Sequence, residues 1–123
     1  MKAQTSQFNI IFTRLRAILE SHASRFVVSA DGPNYYCLDV SFSPRFKKSF
    51  PIAWVKISKS YVSFHFMPVY FSPALQESLS PELKARMQGK SCFNFTSVDT
   101  TLLEELERFT ARGFALSKKA NVL

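Results

Sequence analysis

The segment YVSFHFMPVYF, residues 61–71, decides the fold because its side chains alternate in character. Side chains on a β-strand point alternately to its two faces. One face of this segment is wholly apolar and consists of Val62, Phe64 and Phe66. The other face is mixed and consists of Tyr61, Ser63, His65 and Met67. We expect the apolar face to lie in the core and the mixed face to lie on the side of a sheet that helices need not cover.

The neighbouring predicted strands repeat this division. Segments 50–58 and 90–98 carry an apolar set, which is Ala53, Val55, Ile57, Phe93 and Phe95. Their mixed set is Ile52, Trp54, Lys56, Cys92 and Asn94. The mixed sets should gather on one sheet face, which is too apolar for ordinary surface and too polar for core.

Aromatic walls with a few convergent polar groups are typical of a ligand or partner site. The predicted ligand-binding residues on this face, including one at its rim, are Trp54, Lys56, Tyr61, Ser63, His65, Met67, Lys90, Cys92 and Asn94. In this site the aromatic and thioether groups would supply apolar contact, and the Lys, His and Asn side chains would donate hydrogen bonds.

The order of elements predicts a single α+β domain over residues 1–123. Apolar residues at three- and four-residue steps predict a first helix over about 5–23. Strands are predicted at 25–30, 34–42, 50–58, 61–69 and 90–98, and short helices at 73–78 and 81–87, with a final helix that Asp99 caps. The resulting order is α-β-β-β-β-α-α-β-α. We expect a mostly antiparallel five-stranded sheet with the N- and C-terminal helices packed on one face.

Capping residues mark the expected helix ends. Thr5 or Ser6 can cap the first helix, and each of the pairs Ser72-Pro73 and Ser80-Pro81 places a hydroxyl before a proline at the first helical position. Gly89 is expected to end the second short helix.

Composition excludes several classes of protein. The chain has 123 residues, of which 46% are hydrophobic and 13 are Phe, so it can bury a core. No window approaches 18 consecutive apolar residues, so we expect no membrane helix, and the N-terminus does not resemble a signal peptide. Two cysteines, Cys37 and Cys92, are interpreted as reduced thiols of a cytoplasmic protein.

The charge distribution indicates an anionic partner. The formal net charge is +7, and no acidic residue occurs between Asp39 and Glu77. The segment SPRFKK, residues 43–48, is predicted to be a basic loop (hereafter the basic loop). Its Arg45, Lys47 and Lys48 could contact phosphates while sheet aromatics stack on bases, so nucleic-acid binding is an alternative function. The other interpretation is a solvated lysine-rich loop.

Chemical motifs are sparse. His65 and Cys92 could form a catalytic pair, but no orienting acid is visible, and the hypothesis we prefer for each is a structural side chain. His22 is also interpreted as structural. The spacing of the His and Cys residues predicts no metal site, and we expect no cofactor. Trp54 could instead pack at the interface of a homodimer.

The motif GKSCFNF, residues 89–95, resembles the YdhG-like family of small bacterial domains of unknown function. The segments YVSFHFMPVY and SVDTTLLEEL resemble the same family, and the likeness covers nearly the whole chain. The resemblance implies an α+β fold with a curved antiparallel sheet, a cytoplasmic bacterial setting and no known enzymatic activity. Some members are labelled iron chaperones, which adds a further alternative. Iron requires carboxylate-rich surfaces. The central region has none, so we do not carry iron binding over to this chain.

The leading hypothesis is therefore a non-enzymatic binding module. Its open sheet face would hold an anionic small molecule or an acidic peptide of a partner protein.

Overall fold

A computed structural model of the chain describes residues 2–123, with side chains described from residue 7 onward. The helices are α1 (Lys2–Glu20), α2 (Pro73–Glu77), α3 (Pro81–Lys84) and α4 (Thr100–Lys119). The strands are β1 (Val27–Asp31), β2 (Tyr35–Val40), β3 (Phe50–Ile57), β4 (Val62–Phe66), β5 (Met87–Gln88) and β6 (Cys92–Phe95). Short 3₁₀ turns occupy Ala23–Arg25 and Met67–Tyr70.

The strands form one antiparallel sheet in the order β1-β2-β3-β4-β6-β5. The α+β prediction is confirmed, but the sheet has six strands rather than five. The helix predicted over 81–87 ends at Lys84, and Met87 and Gln88 instead pair with Phe93 and Cys92. Gly89 does not end a helix; it lies in the connection between β5 and β6 with φ of 79°, a conformation that glycine adopts without steric cost.

The apolar face of β4 and β6 is covered by helices, as predicted. Phe64, Phe66 and Phe93 are fully buried, and Phe95 is 1% exposed. The buried stripes of α1 and α4 complete the core and consist of Phe8, Ile11, Phe12, Leu15, Ile18, Leu19, Leu102, Leu103, Leu106, Phe109, Thr110 and Phe114. We call this side of the sheet the covered face.

Gly113 allows α4 to approach β4 closely. A Cβ atom at this position would lie 2.6 Å from Cζ of Phe66, well inside van der Waals contact. The Phe66 ring also packs against Phe109 and Phe114, with ring centroids 5.7 and 5.1 Å apart. The helix therefore rests directly on the phenylalanine face of the sheet.

Three of the four predicted helix caps are present. The hydroxyls of Ser72 and Ser80 accept hydrogen bonds from backbone N–H groups at 3.3 and 3.1 Å, and the carboxylate of Asp99 accepts one from Leu102 at 3.2 Å. The cap predicted at Thr5 or Ser6 is wrong, because α1 begins at Lys2 and both residues lie inside it.

Two departures from strict alternation change the mixed set. The register of β2 and β3 shifts near Asp39 and Pro51, and Ile52 is fully buried in the core rather than placed with Trp54. The fourth strand ends at Phe66 instead of continuing to residue 69, because Met67 begins a 3₁₀ turn that contains Pro68. Within residues 2–123, no helix combines the length and apolar character needed to cross a membrane.

Candidate binding site on the open sheet face

The side of the sheet that carries Trp54 and His65, which we call the open face, holds a row of contacting side chains. Trp54 pairs with His65 and His65 with Cys92 in neighbouring strands. The Trp54 and His65 rings are stacked, with centroids 4.7 Å apart and planes 13° apart. Nε2 of His65 lies 3.6 Å from Sγ of Cys92, and that thiol lies 3.3 Å from Oδ1 of Asn94. Four predicted site residues thus form one continuous row.

A fifth member of this row was missed by sequence reasoning. Nδ2 of Asn94 donates a hydrogen bond of 2.6 Å to Oε1 of Gln88. Gln88 lies on β5, which begins at Met87, the last residue of the helix predicted over 81–87. We call Trp54, His65, Cys92, Asn94 and Gln88 the polar row.

The protonation of the polar row disfavours nucleophilic catalysis. Burial, and secondarily the charge of Lys56, lower the pKa of His65. Burial raises the pKa of the Cys92 thiol. Near neutral pH the pair is therefore a neutral imidazole beside a protonated thiol. A nucleophilic cysteine needs a lowered thiol pKa, and here burial raises that pKa. This arrangement favours a structural hydrogen bond.

The remaining predicted residues lie around this row. Lys56 is exposed and pairs across the strands with Ser63, whose side chain is 3% exposed and donates a 3.4 Å hydrogen bond to the Lys56 carbonyl. Tyr61 is half-buried just before β4, and Lys90 is exposed in the turn between β5 and β6. Met67 is half-buried in its 3₁₀ turn. The hydroxyl of Ser63 is thus covered, whereas Lys56 and Lys90 face solvent.

One concavity of the open face lies at one end, next to the basic loop. It has a volume of about 380 Å³ and is lined by Phe46, Lys48, Phe50, Pro51, Trp54, Met67 and Phe71. We call it the aromatic groove. It contains two predicted ligand-binding residues, Trp54 and Met67, and one residue of the nucleic-acid alternative, Lys48. The other seven predicted ligand-binding residues do not line the groove.

Four groove residues were not predicted. Phe46 comes from the basic loop, Phe50 and Pro51 from the start of β3, and Phe71 from the residue after the 3₁₀ turn. The three phenylalanine rings cluster, with centroids 5.4 to 6.3 Å apart. The available sequence signal was an aromatic residue inside the loop SPRFKK, where alternation cannot assign it to a sheet face.

Backbone hydrogen bonds give the basic loop a defined shape. The hydroxyl of buried Ser43 accepts a 3.2 Å bond from the N–H of Phe46. Its carbonyl accepts a 2.7 Å bond from Lys47, which adopts a left-handed conformation with φ of 59°. The N–H of Arg45 donates to the carbonyl of Asn121 at 2.9 Å, which ties the loop to the segment after α4. Phe46 is thereby held at the groove rather than left on a free coil.

The cations of the basic loop, next to the aromatic groove, form no ion pair with the described carboxylates. Both ion pairs among the described side chains involve Arg16, so none engages the cations of the basic loop. The Arg45 guanidinium lies 5.4 Å from the centroid of the Phe46 ring, at cation–π distance. Lys48 itself lines the groove. The groove therefore combines apolar walls with an unpaired ammonium group.

Comparison with protein-family models, curated proteins and solved structures finds no match, so the resemblance to the YdhG-like family stays a prediction. Among the described side chains, no group of three or more His, Cys, Asp or Glu residues is placed to hold a metal ion.

Proposed function

We propose that this protein is a binding module that holds a small anionic molecule with an apolar body in the aromatic groove. The observation that carries the proposal is the lining of the groove, in which six apolar side chains surround the ammonium-bearing Lys48. Burial of apolar ligand surface would supply most of the affinity, at roughly 25 cal/mol per Å². The ammonium group would select an anion and fix its orientation.

The charge of the surrounding chain segment also favours an anionic ligand. No acidic residue lies between Asp39 and Glu77, and this stretch supplies every residue that lines the groove. An anion approaching the groove therefore meets a positive surface, which raises its local concentration. Two free thiols agree with a reducing cytoplasmic setting, which we propose as the location.

Nucleic acid is less well supported as the ligand than a small anion. Single-strand binding needs several exposed aromatic platforms along a basic track. Here Trp54 and His65 stack on each other, so their facing ring surfaces are closed to bases. An iron chaperone finds less support still, because no carboxylate lines the groove.

The proposal is tested by calorimetric titration of the native protein with 2-naphthoate and with its neutral analogue 2-naphthalenemethanol. We expect saturable naphthoate binding at one site and weaker binding of the neutral alcohol. Lys48→Gln should weaken naphthoate binding about three- to tenfold, as expected for loss of one charge-assisted contact, and leave the alcohol unaffected.

Lys59→Gln is the matched control, because it removes an exposed lysine that does not line the groove. It should leave the naphthoate affinity within about twofold of the native value, because salt and solvent screen a charge that lies away from the groove. Absence of saturable naphthoate binding would overturn the proposed function. Equal affinity for the acid and the alcohol would overturn its anionic character.

A further inference from the structure

We infer that the apolar body of the ligand is a flat aromatic ring rather than a saturated chain, so that the ligand class is a planar aromatic carboxylate or phosphate. This inference rests on the proposed function and concerns the same groove. Its starting point is the shape of the lining. Four of the seven lining residues present aromatic rings, namely Phe46, Phe50, Trp54 and Phe71.

The phenylalanine rings meet mainly by their edges. The planes of Phe46 and Phe50 are 82° apart, those of Phe50 and Phe71 are 76° apart, and those of Phe46 and Phe71 are 41° apart. Aromatic rings carry a negative face and a positive edge, so such an array can accept another ring in the same edge-to-face manner. These contacts stabilise a bound ring beyond what its buried area provides, and a saturated ring receives no such addition.

The Trp54 indole is held in a fixed plane by the polar row. His65 covers one of its faces, and His65 is itself held by Cys92 at 3.6 Å. A ligand in the groove therefore meets the opposite face or the edge of the indole. Fixing the plane before binding lowers the conformational entropy that binding must overcome. The polar row would then act as the support of an aromatic platform rather than as the binding site.

Met67 also favours an aromatic ligand. Its thioether lies in the groove lining, and sulfur makes favourable contacts with aromatic rings at about 5 Å. Lys48 in the same lining would contact a negatively charged substituent on the ring.

The size of the groove favours a free small molecule over a base within a strand. A volume of about 380 Å³ accommodates one ring system with its charged substituent. Proteins that bind single strands contact about four or more nucleotides per domain, on successive platforms. We therefore assign the groove to a single small ligand.

The test compares 2-naphthoate with decahydro-2-naphthoate, which has the same charge and ring skeleton but is saturated and not planar. Calorimetry on the native protein should give at least fivefold tighter binding of the planar acid. Phe46→Leu removes a ring from the lining and retains apolar bulk, so it should reduce this preference below about twofold. Tyr70→Leu is the control, since Tyr70 is 53% exposed and does not line the groove, and it should leave the preference intact.

The outcomes separate the two proposals. Equal affinity for the planar and saturated acids would overturn this inference while the proposed function stands. Failure of both acids to bind would overturn both. An oligothymidylate that binds more tightly than naphthoate, with affinity that falls steeply with salt, would identify a nucleic-acid strand as the occupant and overturn the inference of a small ligand.

Discussion

The two faces of the sheet are built from neighbouring residues of the same strands, yet they are organised differently. On the covered face, Phe64 and Phe93 have no exposed surface and pack under helices. On the open face, their neighbours His65 and Cys92 are half-buried and are held by each other and by Trp54. Burial by helices fixes the covered face, whereas lateral contacts between side chains fix the open one. We therefore propose the ligand site where those lateral contacts leave a gap.

That gap lies at one end of the open face. Along the polar row, each side chain contacts the next, so part of its hydrogen-bonding capacity is already used. At the basic loop, the lining of the groove includes Lys48, for which no ion pair is formed among the described side chains. We therefore place the proposed site at the end of the mixed face where Lys48 forms no ion pair with the described side chains, and not along the whole mixed face.

The largest expected effect comes from breaking the covered face. Phe64→Ala should lower the free energy of unfolding by about 3–5 kcal/mol, because it removes a fully buried ring and leaves a cavity. Trp54→Ala, on the paired strand but the open face, should cost less than half as much, since that ring is only half-buried. Urea denaturation of both variants measures the contrast. A loss below about 1 kcal/mol at Phe64 would mean that the two faces have been assigned the wrong way round.

A smaller effect is expected where α4 touches the covered face. Gly113→Ala should destabilise the protein by about 1–3 kcal/mol, since the added methyl group overlaps the Phe66 ring. Helix propensity alone would favour alanine by about 1 kcal/mol, so a net loss reports the steric contact. Gly32→Ala is the control, because its nearest neighbour would be the Tyr35 carbonyl oxygen at 3.8 Å. If thermal denaturation shows Gly113→Ala to be as stable as the native protein, the close approach of α4 to β4 is wrong.

The smallest effect concerns the protonation of the open face. Burial lowers the pKa of His65 in the folded protein, so the unfolded chain takes up a proton at higher pH than the folded one. The free energy of unfolding should therefore fall as pH decreases from above the ordinary histidine value of 6.5 and level off below the folded-state pKa. His65→Gln should make this fall less steep in urea denaturations between about pH 7.5 and 5.

His22 provides the comparison for that experiment. Burial also lowers its pKa, so His22→Gln should reduce the slope in the same direction. The double variant should have a smaller slope than either single variant. An unchanged slope in His65→Gln would show that His65 is not desolvated in the folded protein.

The covered face was predictable because one physical rule governs it. Alternation along β4 and β6 placed Phe64, Phe66 and Phe93 correctly, and serine or aspartate before each later helix marked where that helix begins. Alternation and capping did not predict β5, where strand pairing overrides the local sequence pattern. Met87 was predicted to end a helix, but the pairing of Met87 and Gln88 with β6 supplied hydrogen-bond partners that a sequence pattern does not reveal.

The open face was predictable only in part. Alternation gathered Trp54, His65, Cys92 and Asn94 on one side, and the structure brings them into contact. It gave no position for Phe46 or Phe71, since both lie outside the strands. Their placement depends on loop hydrogen bonds, such as that from Arg45 to Asn121, between residues far apart in sequence. The groove is therefore a product of tertiary contacts rather than of strand periodicity.

The central claim is that the open face binds its ligand at the aromatic groove and not along the polar row. The most direct test is an amide and indole N–H chemical-shift map of the ¹⁵N-labelled protein during titration with 2-naphthoate. We expect the largest shifts at the amides of Phe46, Lys48 and Phe71 and at the indole N–H of Trp54. The amide of Cys92 and the side-chain amide of Asn94 should move little. Shifts centred on Cys92 and Asn94, or no saturable shifts at all, would contradict this claim.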